Sequence, residues 1–289
     1  MSRVLLVGGT GFIGRRVARQ LLAMGITPRI FDLPSALERA QLSDAHETVA
    51  GDATDLPALV AAAEGCDGIV HLAGIMTIDC ARDPARAIRT NVLASANVFL
   101  AARPCRLPVA YLSSAGVFGP DSATVPVPMT LYGVTKLAVE GLARVEAADH
   151  GVPSLGLRPY VVYGPGESSG IAAGPSIAIA ASVRRAPATI AFSGRVGFVH
   201  VDDVARLLVA GVTRPLTGAT VLTVAGDTRD MADFVAELAR QTGWSGISVA
   251  GAPLRIPSDL ASDPVPATLG PVSVTSIEAG IAASVAELS

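Results

Sequence analysis

Lysine is almost absent from this chain: of 22 basic residues, 21 are Arg and one, Lys136, is Lys. Positive charge is otherwise carried by guanidinium, so the lone ammonium matters if its neighbours give it a task. Cysteine is scarce as well. Cys66, Cys80 and Cys105 are an odd, scattered set without CxxC spacing, which argues against a disulfide framework or a zinc site and fits a reducing cytoplasm. No excess charge of one sign exists. A net charge of −3 leaves no footprint for nucleic acid or an anionic membrane. Long apolar runs are missing too: hydrophobic residues make up 50%, yet Gly, Pro or Arg breaks every run short of the roughly 20 residues a membrane helix needs. A soluble protein is expected. The first apolar run follows Arg3 directly and belongs to a turn rather than to a signal peptide.

What is present organises the chain from its first residues. Val4-Leu5-Leu6-Val7 breaks into Gly8-Gly9-Thr10-Gly11-Phe12-Ile13-Gly14 and then resumes with helical periodicity. A strand thus runs through a glycine turn into a helix. Gly8 permits the tight turn, Gly11 lets backbone approach a pyrophosphate, and Gly14 lets the helix pack close to the sheet. The phosphates would sit on unpaired N–H groups at the helix start. Such turns also occur without a ligand, so context decides. Arg29-Ile30-Phe31-Asp32 reads as a second strand ending in an acid about 20 residues after the motif, where a carboxylate accepts hydrogen bonds from an adenosine ribose. An acid there repels a 2′-phosphate and favours NAD over NADP. Asp32 is alternatively a turn residue before Pro34.

Strand and helix signals then alternate. Phe12 to Met24 reads as the first helix, His46 to Ala50 as the third strand, Leu56 to Ala63 as a helix and Gly68 to Leu72 as the fourth strand. This series predicts a doubly wound parallel α/β sheet. Asp52, at its strand end beside Ala53, is either a ligand contact or a helix cap. His71-Leu72-Ala73-Gly74 closes strand four with small residues, past which a flat nicotinamide ribose or a phosphate fits; His71 itself reads as packed. Pro84 to Ala102 is a long helix on which Asn91 needs a hydrogen-bond partner, backbone or ligand. Val109 to Ser114 is strand five, a helix follows from Thr130, and Leu155 to Val162 is strand six. Residues 167–195 read as a looped insertion with one helix near Ser176 to Val183. Phe198 to Ala205 passes from strand to helix with Asp202 or Asp203 as N-cap. Val221 to Val224 is a strand, Met231 to Thr242 a helix, Ser245 to Val272 a Pro-rich loop, and Thr275 to Glu278 a capping box opening a terminal helix. The chain of 289 residues divides into a nucleotide-binding unit, residues 1–165 with 196–225 returning to it, and a smaller C-terminal substrate lobe, 166–195 and 226–289.

Tyr132 and the lone Lys136 are four apart on one helix, so their side chains are neighbours. A tyrosine with the ordinary pKa of about 10 is a poor base at neutral pH. A fixed ammonium one turn away is expected to stabilise the phenolate and lower that value, while its donors hold ribose hydroxyls. Arg lacks such a compact point charge. Ser114, from the neighbouring strand end beside Ala115, can donate a hydrogen bond to a substrate oxygen as it becomes a carbonyl or alkoxide. YxxxK alone is common and fits a half-buried helix residue. Joined to the glycine turn, the second-strand acid and Ser114, it points to proton and hydride transfer at a hydroxyl-bearing carbon.

Over nearly its whole length the chain resembles the extended short-chain dehydrogenase/reductases, the group of NAD-dependent sugar epimerases and dehydratases. The matches are Gly8 to Gly14, Gly51-Asp52, His71 to Gly74, Ser113-Ser114, Tyr132 to Lys136, Arg158 to Gly166 and Phe198 to Ala205. The resemblance implies NAD as the cofactor, Tyr132 as acid/base, Lys136 as its electrostatic partner and Ser114 as the oxygen-positioning hydroxyl. It implies that Gly8, Gly11, Phe12, Ile13 and Gly14 hold the pyrophosphate, Asp32 the ribose, and Asp52 with Ala53 the adenine. It places Leu72, Ala73, Gly74, Asn91 and Tyr160 around the rest of the dinucleotide, with Tyr132 and Lys136. It also implies homodimers that pair the Pro84 to Ala102 helix with the Tyr132 to Ala148 helix.

Two positions depart from that pattern. Many sugar-nucleotide epimerases carry Arg-Tyr-Phe-Asn after strand six, whereas this chain reads Arg158-Pro159-Tyr160-Val161. The arginine that those enzymes aim at the diphosphate is replaced by Val196, with Arg195 one residue away. A diphosphate wants such partners, so a smaller polyol, sugar or sugar acid is expected, and Arg195 and Arg158 are candidates either for binding a carboxylate or for supporting the fold. The pocket would be lined by Ile75 to Asp79, the loop after Ser114, and Gly166 to Arg195. The alternatives are a nucleotide-sugar 4-epimerase or dehydratase that retains NAD, and a non-catalytic NAD-binding regulator.

Overall fold

In chain order the elements are β1 (Arg3–Val7), α1 (Phe12–Ala23), β2 (Thr27–Asp32), α2 (Pro34–Arg39), β3 (Glu47–Ala50), α3 (Leu56–Ala63), β4 (Ile69–His71), α4 (Thr77–Arg82), α5 (Pro84–Ala87), a π-helical turn (Ile88–Leu93), α6 (Ala94–Ala102), β5 (Val109–Leu112) and α7 (Leu131–His150). There follow β6 (Ser154–Pro159), β7 (Val161–Tyr163), α8 (Gly174–Val183), β8 (Ala188–Ile190), β9 (Arg195–His200), α9 (Val201–Thr213), β10 (Ala219–Val224), β11 (Asp227–Asp230), α10 (Met231–Thr242), β12 (Ile247–Val249) and α11 (Ile277–Leu288). This is a computed structural model describing residues 1–40, 42, 43, 45–271 and 273–289. The predicted end of the Pro-rich loop, Val272, lies outside the described residues, and the loop itself contains β12.

Seven parallel strands form the central sheet in the order β10-β6-β5-β4-β1-β2-β3. Both faces are covered, which is why the strands read as near-continuous apolar runs. The two-residue period still sorts them: Val4 and Leu6 pack on one face with Val17 and Leu21 of α1 and Leu208 of α9, while Leu5 and Val7 pack on the other with Leu59 of α3, Phe99 of α6 and Val139 of α7. The sheet thus presents the carboxyl ends of β1, β4 and β5 side by side, at the edge where doubly wound folds bind ligands.

The predicted sixth strand is two strands. Pro159 lacks an amide hydrogen, and after Tyr160 donates to the Val224 carbonyl at 3.1 Å the chain leaves the main sheet and pairs as β7 with β9, whose other edge pairs with β11, in a three-stranded sheet. Of residues 196–225, therefore, only α9 and β10 return to the central sheet. The predicted looped insertion also holds β8, which pairs with β12. Around the small sheet stand Tyr163, Phe198 and Phe234, the last two stacked at 4.8 Å. At the far end of the chain Glu287 reaches back to the buried Arg16 at 2.7 Å and ties α11 to α1.

Three predicted helix starts are corrected. α9 is capped by His200, whose ring nitrogen accepts from Asp202 N–H, because Asp203 is already engaged by Thr275 N–H at 2.8 Å and Arg206 at 2.9 Å. α11 is capped by Ser276, which accepts from Ala279 N–H. Glu278 therefore falls one position short of closing the box, and it faces Arg229 at 3.5 Å. α3 is capped by Asp55 rather than Asp52. Among the described residues no helix is long and apolar enough to cross a membrane.

Candidate active site

The glycine turn has little room. A Cβ on Gly8, which sits at φ +82°, would lie 2.6 Å from the Ala73 amide nitrogen, and one on Gly14 would lie 2.5 Å from the Gly9 carbonyl oxygen. Gly11 by contrast has only the Gly8 carbonyl oxygen at 3.4 Å, and it opens α1 without a side-chain cap. The turn is thus pressed on the β4 side and open on the Gly11 side, at the half-buried Phe12 and Ile13. Asp32 closes it from β2: one carboxylate oxygen accepts from Thr10 N–H at 3.1 Å and Thr10 O–H at 2.6 Å, the other from Leu33 N–H at 2.9 Å. A carboxylate has about four acceptor positions, so room remains for a further hydroxyl. The turn reading and the ligand reading of Asp32 are therefore compatible.

Beside β2, Asp52 is exposed and accepts both the backbone N–H and the hydroxyl of Thr54 at 2.8 Å. Asn97, which sequence reasoning missed, donates to the Ala53 and Thr54 carbonyls at 3.2 and 2.9 Å and fixes this turn against α6. Leu72 and Ala73 both donate to the Val7 carbonyl. Asn91 is buried in the π-helical turn and staples the chain after β4: its carbonyl oxygen accepts from Ile75 N–H at 2.8 Å, and its amide donates to the Ile75 carbonyl at 3.0 Å and the Thr135 hydroxyl at 3.1 Å. The partner that Asn91 required is backbone and Thr135. His71 is packed, as expected. Its Nε2 lies 2.9 Å from the Ser95 hydroxyl, which itself donates to the Asn91 carbonyl, and burial pushes its pKa down to about 3.

Tyr132, Lys136 and Ser114 do come together. Lys136 Nζ lies 5.5 Å from the Tyr132 ring centre and donates to the Leu112 carbonyl at the end of β5 at 2.9 Å. A Cβ on Gly74 would lie 3.7 Å from it. Ser114 accepts from Gly116 N–H at 3.0 Å, and its hydroxyl, close to the phenol, pulls the Tyr132 pKa down against burial. Burial wins: Tyr132 is pushed up to about 12, and Lys136 down to about 8. The expected lowering of Tyr132 is not found in this state, because the ammonium points past the ring to a carbonyl and the packing around the half-buried phenol disfavours its charged form. Thr135, one turn into α7, donates to the Tyr132 carbonyl at 2.7 Å.

Ala115, expected at the substrate, is fully buried, main chain and side chain alike. Tyr160 is buried and its hydroxyl donates to the Ile256 carbonyl at 3.2 Å. Arg195 is exposed at the start of β9 and lines a cavity of about 340 Å³ with Thr228, Ser258, Asp259 and Leu260. Arg158 has a structural place: its guanidinium grips Glu140 at 2.7 and 2.5 Å and lies over the Phe118 ring at 5.1 Å. Glu140 also accepts from Ser113, next to Ser114. Its spacing was the available signal, since 132, 136 and 140 share one helical face.

The sequence profile of the NAD dependent epimerase/dehydratase family matches residues 4–225. The chain belongs to that family. Among its members the chain is 28% identical to the ceramide reductase of Caulobacter vibrioides over 76% of its own length and 63% of the relative's. It is 34% identical to the uronate dehydrogenase of Agrobacterium fabrum over 50% and 56%. The matches thus span between about half and just under two thirds of these relatives. A solved structure of MoeE5 in complex with UDP-glucuronic acid and NAD superposes with a TM-score of 0.83 at 27% identity, covering 99% of this chain and 98% of that one. The family is NAD dependent by description, and the open Gly11 side of the turn, with the acceptor capacity of Asp32, fits that cofactor.

Proposed function

We propose that this chain is an NAD-dependent oxidoreductase acting at a hydroxyl-bearing carbon of a small polyol, sugar or sugar acid. The observation that carries the reading is the meeting of Tyr132, Lys136 and Ser114 at the ends of β4 and β5, in the same sheet edge as the glycine turn. NAD, when bound, supplies the hydride acceptor. The Gly8 to Gly14 turn with Phe12 and Ile13 would hold its phosphates, Asp32 its ribose, Asp52 and Ala53 its adenine. Leu72 to Gly74, Asn91 and Tyr160 would border the remainder. Tyr132 exchanges the hydroxyl proton, Lys136 stabilises the phenolate while its spare donors take ribose hydroxyls, and Ser114 positions the substrate oxygen beside Ala115. Arg195 in its cavity is the candidate partner for a substrate carboxylate, in keeping with the uronate dehydrogenase relative.

The MoeE5 complex favours a second reading, a nucleotide-sugar 4-epimerase or dehydratase that keeps its NAD. Against it stand Val161 and Val196, which offer no partner to a diphosphate. Incubation with NAD and a panel of polyols, aldonic acids and uronic acids, followed by NADH absorbance, is expected to show stoichiometric release of NADH. Turnover of a UDP-sugar with no net NADH would reverse the preference.

The same reading includes a homodimer. The π-helical turn exposes Ile88 and Leu93, and α7 exposes Val134 and Val145. The two segments pack together, so their outer sides make one apolar surface. Sedimentation velocity is expected to give twice the chain mass, and Leu93→Glu with Val145→Glu the mass of one chain. The free Cys66, Cys80 and Cys105 support a reducing cytoplasm as the setting.

A further inference from the structure

We propose that Arg15 is a further contact for the cofactor, turning its guanidinium to the pyrophosphate of the dinucleotide when NAD binds. This rests on the NAD reading above and carries it past the residues of the glycine turn, to the first side chain able to bring a positive charge to the phosphates.

The backbone of α1 sets the position. Its first hydrogen bond runs from Arg15 N–H to the Gly11 carbonyl at 3.0 Å, so the N–H groups of Phe12, Ile13 and Gly14 come before the ladder, and no side chain caps them. Helical side chains lean back over the turn on their N-terminal side. Arg15 does so: its Nη2 donates to the Gly166 carbonyl at 3.3 Å. A Cβ built on Gly166 would lie 3.4 Å from that nitrogen and 3.8 Å from the Phe12 ring. The guanidinium and the residue that opens α1 therefore meet at one point of the segment following β7. A side chain at position 166 would fill the space between them, and glycine leaves it open.

What this charge lacks is an acid. Arg3 and Arg29 pair with Glu47, and Arg16 and Arg19 pair with Glu287. Arg15 is exposed and has, among the described residues, only the Gly166 carbonyl. Glu167, next along that segment, is engaged elsewhere: it accepts from the Ser176 hydroxyl of α8 at 3.2 Å, and burial pushes its pKa up to about 7, so it is only partly ionised at neutral pH. Arg16 is not free to serve in place of Arg15, because it is buried and its donors go to Glu287 at 2.7 Å and the Pro165 carbonyl at 3.1 Å. Arg15 thus gives up one long bond to a neutral carbonyl. A phosphate offers it shorter, charge-assisted and bidentate bonds, on the turn where the helix start already favours an anion.

The test compares NAD, titrated by calorimetry, with adenosine, followed by ligand-observed NMR, which keeps the nucleoside and lacks the phosphates. Arg15→Ala and Arg15→Gln are both expected to raise the Kd for NAD about tenfold or more, the size of a lost charge-assisted hydrogen bond, and to leave that for adenosine within about twofold. Added NaCl is expected to weaken NAD binding more steeply in the wild type than in either variant. Arg15→Gln keeps a donor for the Gly166 carbonyl without the charge, so wild-type NAD affinity in that variant overturns the proposal and leaves Arg15 as a strap on the neighbouring segment. An unchanged Kd in Arg15→Ala, or a loss that adenosine shares, overturns it as well. NAD binding that ignores Arg15 sinks the proposal alone, whereas a wild-type protein that binds no NAD sinks the cofactor reading together with it.

Discussion

Tyr132→Phe is expected to lower kcat by about 10³-fold while NAD affinity stays within about threefold of wild type, a loss of the size seen when a positioned acid/base is removed. The ring, which packs beside Gly116, is retained, so only the proton-carrying oxygen goes. In the cofactor-free protein burial holds the phenol near 12, far above neutrality. Its work as a base therefore depends on positive charge delivered close to it. Lys136, the chain's only lysine, is the resident source, and its own value near 8 means that it is still mostly an ammonium at pH 7. Steady-state NADH formation together with NAD titration checks the expectation. A variant turning over within threefold of wild type would remove Tyr132 from the chemistry and favour the non-catalytic regulator.

Glu140→Ala is expected to cost about 3–5 kcal/mol of stability, the range for removing one member of a buried ion pair. Glu140 is 6% exposed and serves three donors at once, two on Arg158 and one on Ser113. Without it a guanidinium stays half-buried over the Phe118 ring with no hydrogen-bonded carboxylate among the described residues, and the strand end that carries Ser114 loses its tether. Urea unfolding checks the effect, and Glu140→Gln, which keeps the shape and one acceptor oxygen, is expected to recover part of it. An Ala variant as stable as wild type would show that Arg158 swings out to water.

What could be read from the sequence was local. The glycine turn, the acid at the end of β2 and the Tyr132–Lys136 pair depend on spacings of a few residues, and those spacings survive folding. What could not be read depends on distant partners. Asp203 looks like a helix cap until Thr275, 72 residues further on, takes its carboxylate. Leu155 to Val162 looks like one strand because nothing local says that Tyr160 will close on Val224 and hand the chain to another sheet. The sign of the Tyr132 shift is out of reach of the sequence for the same reason: proximity on a helix is a sequence property, whereas desolvation is made by everything packed around it. The roles of Asn97 and Glu140 are tertiary too, although the periodicity of α7 marked the latter.

The tie between Arg16 and Glu287 joins positions 271 residues apart. Until α11 docks, Arg16 of α1 keeps the Pro165 carbonyl at 3.1 Å and the Asp202 carboxylate at 3.8 Å but lacks its nearest acid. Docking of α11 therefore acts as a latch on the helix that follows the glycine turn, a long-range contact of the kind that forms late in folding.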